Sequence, residues 1–183
     1  MKKWIIVVWV LMVMLEVNAQ RFITKNGHIK FHSETPMETI EAHNNQVNCV
    51  LDTQSGDFVF KVLMKSFEFE KALMQEHFNE NYVESDKFPN ATFKGNVSNV
   101  SEMDFGKEGE YSAIVEGELT IHGVTQKVSE KGSFIVKGGN ITGTSVFIIK
   151  PADYEIKIPK TVVANIAEEI EVTVNVEMEE FKK

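Results

Sequence analysis

The chain has 183 residues, 43% hydrophobic and 25% charged, with a formal net charge of −8 and a single cysteine. One thiol cannot pair within the chain, which excludes a disulfide scaffold, and the acidic balance offers no electrostatic attraction for nucleic acid or anionic lipid headgroups. The length accommodates one domain with a substantial core.

The N-terminus reads MKKWIIVVWVLMVMLEVNAQ, with Lys2 and Lys3 ahead of an apolar run from Ile5 to Leu15 and Val17-Asn18-Ala19 after it. A basic start, a short apolar stretch and a small-residue exit are the pattern of a secretory signal, cleaved here after Ala19. The apolar run holds 11 residues, short of the roughly 20 that a bilayer-spanning helix needs. We therefore expect residues 1–19 to be a signal peptide and residues 20–183 to be one periplasmic or secreted domain, with no integral membrane span after cleavage. Losing Lys2, Lys3 and Glu16 removes a net +1 and leaves the exported chain at −9.

Period-two alternation dominates the mature chain. Val47, Cys49 and Leu51 share one side of a strand, so the thiol is expected to be buried and inert. Gln54-Ser55-Gly56 reads as a hairpin turn into Asp57–Met64, where Phe58, Phe60 and Val62 align. The segment FEFEKALMQEHFNENYVESDKFP breaks the pattern. Phe69, Leu73, Phe78 and Tyr82 recur near helical spacing, which predicts a short amphipathic helix ending before Lys87-Phe88-Pro89. Alternation resumes over Ala91–Val100, with Phe93, Gly95 and Val97 on one face.

The stretch GELTIHGVTQKV can be tested by register. With His122-Gly123 as a two-residue hairpin loop, partner numbers sum to 245. One face then carries Ile121/Val124, Leu119/Gln126, Gly117/Val128, Ala113/Gly132 and Tyr111/Phe134, and the other carries Thr120/Thr125 and Glu118/Lys127. An odd loop would shift the register by one and mix the faces. Gly123 supplies the positive φ of a tight hairpin. Val115/Glu130 does not sort: either a bulge or strand end intervenes, which is the expected case, or Glu130 is a polar group near an otherwise apolar interior. Asn140–Ile149 alternates again. So does EIEVTVNVEME, where Ile170, Val172, Val174, Val176 and Met178 face one way.

A mostly antiparallel sheet with one amphipathic helix predicts an all-β fold. The expected form is a closed barrel of about eight strands, with the helix lying over it. Gly95, Ala113, Gly117, Gly132 and Gly143 among inward Phe and Val residues would leave room for one small ligand.

The histidines do not form a metal site by spacing. His28 and His32 share a strand face about 13 Å apart by strand rise, beyond what two ligands of one zinc bridge. His43, His77 and His122 lie in separate segments. Nucleophile-elbow, phosphate-loop and dinucleotide signatures are absent from the sequence, so neither a catalytic residue nor a metal ligand is assigned.

The residues Phe88-Pro89-Asn90-Ala91-Thr92-Phe93, Gly117-Glu118-Leu119-Thr120-Ile121-His122-Gly123-Val124-Thr125 and Ala152-Asp153-Tyr154-Glu155-Ile156 resemble the YceI-like family of bacterial envelope proteins in order and spacing. The resemblance spans about Phe22 to Glu179, and its most specific part is Leu-Thr-Ile-His-Gly-Val-Thr. It implies a lipocalin-like antiparallel barrel that holds a polyisoprenoid chain, such as an isoprenoid quinone or polyprenyl phosphate. It also implies a periplasmic or secreted location, an association with stress response, and no established catalytic activity. Two departures stand out. Met74-Gln75 occupy the place where many relatives carry Arg-Asp, and Pro151-Ala152-Asp153-Tyr154-Glu155-Ile156 replaces Arg-x-Asp-Phe-Gly-Ile. Fewer cations at the cavity mouth favour a neutral head, such as a quinone or a fatty amide, over a pyrophosphate.

The expected function is non-catalytic lipid binding, with no cofactor beyond a bound isoprenoid lipid or quinone. The apolar tail would lie against Phe58, Phe60, Phe93, Leu119, Phe134, Phe147 and Val174. Phe69, Leu73, Met74 and Phe78 of the helical segment would close one side, and His77, Asp153 or Tyr154 would meet the head. The expected partner is a hydrophobic small molecule or lipid, not nucleic acid, and a homodimer is compatible with the sequence. The competing reading is a stress-response structural or interaction protein whose barrel is filled by its own side chains.

Overall fold

The computed structural model describes residues 20–182, and the expected signal segment 1–19 lies outside the described residues. Its strands are β1 (Arg21–Glu34), β2 (Thr39–Asp52), β3 (Asp57–Leu63), β4 (Glu68–Phe69), β5 (Asn90–Val97), β6 (Gly109–Ile121), β7 (Val124–Lys137), β8 (Asn140–Ile149) and β9 (Ile170–Glu180). Pairing runs β1-β9-β8-β7-β6-β5-β3-β2 and closes through β1–β2, while β4 adds two residues beside β2. All pairs are antiparallel. The result is a closed eight-stranded barrel with one extra strand, which leaves the eight long strands without a free sheet edge along most of their length.

The inward rows are those the alternation predicts. Val47, Cys49 and Leu51 of β2 are buried, as are Ile170, Val172, Val174, Val176 and Met178 of β9. Burial pushes the Cys49 thiol far up, out of reach of thiolate chemistry. Phe134, Leu51, Ile141, Met178, Val97 and Val176 are almost completely enclosed, so the barrel end that carries the 53–56 and 138–139 turns is filled by side chains.

The β6–β7 hairpin has the register expected from its sequence, from Ile121↔Val124 to Gly109↔Val136 without interruption. His122 (φ 52°) and Gly123 (φ 76°) form its two-residue loop. The bulge expected at Val115/Glu130 does not occur. These residues pair directly, and Glu130 therefore projects inward on the row of Val128, Gly132 and Phe134.

The helix is shorter than predicted. It covers α1 (Ala72–His77) and continues as one wide turn over Phe78–Tyr82, while Phe69 belongs to β4 instead. Phe69 and Phe78 pack with Phe31 and Phe67 in an aromatic cluster with ring centroids 5.0–5.6 Å apart. This cluster joins α1 to the opposite end of the barrel from the filled one, the end where the β6–β7 loop and the 151–154 turn also lie. No helix among the described residues is long and apolar enough to cross a membrane.

Candidate functional site

Between the filled end and the helix end lies a cavity of about 110 Å³. Phe58, Phe60, Phe93, Leu119, Phe134, Phe147 and Val174 all contribute to its wall. The room comes from small residues at inward positions, among them Ala113, Gly132 and Gly143. Gly95 and Gly117 act differently: they pair across β5 and β6, outside the cavity wall. A Cβ on Gly117 would sit 2.9 Å from the Phe93 ring and 2.5 Å from the Gly95 Cα. These two glycines leave the space that the tip of the Phe93 ring and the neighbouring strand's backbone occupy.

The helical residues are not part of the wall. Leu73 is 60% exposed, Phe69 and Phe78 are held in the aromatic cluster, and Met74 and His77 lie outside the cavity lining. The helix starts only at Ala72, with Phe69 taken into β4, and Leu73 in its first turn faces solvent while Phe69 and Phe78 pack with Phe31 and Phe67.

The barrel wall has a seam that periodicity did not reveal. β7 and β8 pair only from Lys137↔Asn140 to Gly132↔Ser145. Beyond that point Val124–Lys131 pairs with β6 alone, and Val146–Ile149 pairs with β9 alone. The Ser145 Oγ donates to the Lys131 carbonyl at 2.6 Å, the last tie before the strands part. A groove of about 350 Å³ occupies the gap, bounded by Gln126, Lys127, Ile149, Lys150, Asp153, Tyr154 and Glu169. Val128, Glu130 and Phe147 belong to the walls of both this groove and the inner cavity.

The Pro151–Tyr154 turn seals the end of the seam. Gln126 Nε2 donates to the Asp153 carbonyl at 2.7 Å. His122 Nδ1 donates to the Tyr154 carbonyl at 3.1 Å, and Nε2 lies 2.7 Å from Glu84 Oε2. Both partners offer acceptor oxygens to the imidazole. The contact with His122 holds the Glu84 carboxyl below the usual carboxylate range, with a further contribution from Lys87. His122 is thus a hairpin corner that also locks the loop to two other segments, which sequence spacing could not disclose.

Of the residues expected to meet a headgroup, Asp153 and Tyr154 stand at the groove, and His77 is exposed on α1 outside it. Tyr154 is only 3% exposed. Burial raises its hydroxyl above the usual range, and the nearby charges of Asp153 and Glu130 raise it further. Burial also pushes the Glu130 carboxyl up, and no hydrogen bond or cation among the described residues offsets this. Glu130 is the site residue that alternation left unsorted, although the register arithmetic places it on the inward row.

The β1 histidines, His28 and His32, do not meet each other and make their shortest contacts across to β2. His28 Nε2 lies 3.1 Å from His43 Nδ1, and His32 Nδ1 lies 2.9 Å from Glu41 Oε1, all on the outer face of β1 and β2. No group of three or more His, Cys, Asp or Glu side chains is placed to hold a metal among the described residues.

A search of curated proteins gives no match. Solved structures with the same fold include a polyisoprenoid binding domain from Saccharophagus degradans implicated in plant cell wall breakdown. It has a TM-score of 0.76 and 13% identity, covering 89% of this chain and 99% of that one. Burkholderia cenocepacia BcnA has a TM-score of 0.67 and 15% identity over 83% of this chain and 95% of its own. The Campylobacter jejuni YceI protein has a TM-score of 0.56 and 17% identity over 76% and 84%. At these identities the likeness shows the fold alone. The sequence profile of the YceI-like domain, however, matches residues 18–178. The chain therefore belongs to the YceI-like domain family.

Proposed function

We propose that this protein is an exported, non-catalytic carrier that holds the apolar tail of an isoprenoid lipid in its barrel, with a quinone-type head favoured. The observation that carries the reading is the apolar inner wall joined to a lateral groove through Val128, Glu130 and Phe147. The tail gains roughly 25 cal/mol per Å² of apolar area removed from water, before ordering costs are subtracted. An inner cavity of about 110 Å³ is on the scale that accepts one small ring. A longer chain therefore runs from the cavity out along the groove, with Phe93 and Phe147 swinging aside. The similarity to a domain described as polyisoprenoid binding supports the ligand class, and the basic-apolar N-terminus supports export.

The small cavity favours a second reading, a barrel filled by its own side chains that serves as a structural or interaction protein. Native mass spectrometry of the purified protein with an added isoprenoid quinone separates the two. A one-to-one complex supports the carrier, and its loss in Leu119→Glu with an unchanged circular dichroism spectrum places the ligand inside the barrel. A wild-type protein that takes up no quinone at any concentration supports the filled barrel.

A further inference from the structure

We infer that the seam between β7 and β8 is the headgroup site, and that Glu130 there selects a lipid whose uncharged head donates a hydroxyl hydrogen bond, a quinol or a free prenol, over a phosphorylated one. The inference rests on the carrier reading and specifies the head that the carrier accepts.

Four observations carry it. Glu130 is the one ionisable side chain in the cavity wall, and it stands where the inner cavity meets the outer groove. It has no hydrogen-bond or ion-pair partner among the described residues, so its acceptor capacity is open to a ligand. Tyr154 faces the same groove, is almost fully enclosed, and has no partner for its hydroxyl among the described residues. One ligand hydroxyl in the groove between Glu130 and Tyr154 would give each of them a hydrogen-bond partner.

The charges around the groove set the sign of the selection. Glu130, Asp153 and Glu169 face Lys127 and Lys150. Lys150 Nζ is already engaged by Glu169 Oε1 at 3.1 Å, and Lys127 stands opposite Glu118 on β6. A phosphate in the seam would therefore be desolvated beside an unpaired carboxylate, and the groove ammonium that has no ion pair among the described residues, Lys127, stands on the outward row of β7. Of the two redox forms of a quinone-type head, the oxidised one binds through its tail and presents only acceptors to Glu130, whereas the quinol, like a prenol, donates a hydroxyl to it and binds tighter.

The test uses three ligands with matched tails, geranylgeraniol, geranylgeranyl phosphate and the corresponding headless hydrocarbon, titrated into wild type and Glu130→Gln. The wild type should bind the alcohol at least about tenfold tighter than the phosphate. Glutamine keeps an acceptor but removes the like charge, so Glu130→Gln should narrow that ratio to about threefold or less. Equal affinity of the two proteins for the hydrocarbon shows that the barrel is intact. Wild type that binds the hydrocarbon but prefers the phosphate, or a Glu130→Gln variant that keeps the full discrimination, overturns the headgroup assignment and leaves the carrier standing. Wild type that binds none of the three sinks the carrier reading, and this inference with it.

Discussion

Gly95 and Gly117 show how much a single hydrogen atom decides in this barrel. A methyl group on Gly117 would press on Phe93, on Gly95 and on the Lys94 carbonyl at once, two of the three being backbone. Gly117→Ala should therefore cost about 1–3 kcal/mol, seen as a lower urea midpoint with an unchanged slope. His122 is the other residue whose removal should be felt away from its own strand. His122→Ala deletes contacts to the Tyr154 carbonyl and the Glu84 carboxylate, and loss of the part-buried bond to the carbonyl should cost about 0.5–1.5 kcal/mol. The same urea titration measures it. Glu130 carries the opposite sign. Its folded pKa is raised above the unfolded value, so its ionisation disfavours the fold as pH climbs through the window between the two. Glu130→Gln should raise the Tm at neutral pH, and the gain should vanish below the ordinary carboxylate range.

At the scale of elements, most strands were legible in the sequence and their joints were not. Alternation placed β3, β5 and β9, and the unbroken pairing of β6 with β7 followed from one loop length, because a slip would have reversed every face. The seam was invisible for a physical reason. The burial of β7 and β8 goes on alternating past the point where they part, so facing direction carries no mark of the break, although the β8 sequence there is the continuous apolar run Val146-Phe147-Ile148-Ile149 with Val146 and Ile148 exposed. The helix was misjudged at its N-terminal side because Phe69 fits a helical spacing, yet its backbone is claimed by pairing with Ala42 on β2. Of the cavity residues, those on long strands were legible because burial follows the pleat. Glu130 is harder to place from sequence because a carboxylate on an apolar row conflicts with core packing and suggests a bulge instead, and such a conflict is where function tends to sit. The seam makes its own prediction. Ser145→Ala removes the last tie to Lys131, and should cost about 1 kcal/mol. It should also speed amide exchange on the adjoining residues of β7 and β8, read by hydrogen–deuterium exchange, while β1 and β2 stay protected.

For the whole molecule, acid stability follows from carboxylates on the barrel exterior. The hydrogen bond from Lys71 and then that from Asn165 hold Glu38 low, and the hydrogen bond from His32, aided by Lys30, does the same for Glu41. Burial alone would raise Asp52, but the amides of Ser55 and Gln54 and the Arg21 side chain outweigh it and hold it low. With Glu84 these groups have folded pKa values below their unfolded ones, so their contribution is present above the ordinary carboxylate range and is lost as pH falls through the folded values. The Tm should stay nearly level from neutral pH down to about 5, the top of that range, and then drop. With these charges on the exterior and Glu130 alone among ionisable groups in the cavity wall, the interior suits the apolar guest proposed above. The claim that such a guest exists is tested most directly by purifying the protein from the cells that make it, extracting it with organic solvent and analysing the extract by mass spectrometry. The carrier account predicts close to one long-chain isoprenoid lipid per protein, bearing an uncharged head and absent from Leu119→Glu prepared in the same way. A barrel that comes out empty, and that also refuses added isoprenoid lipid, would contradict it.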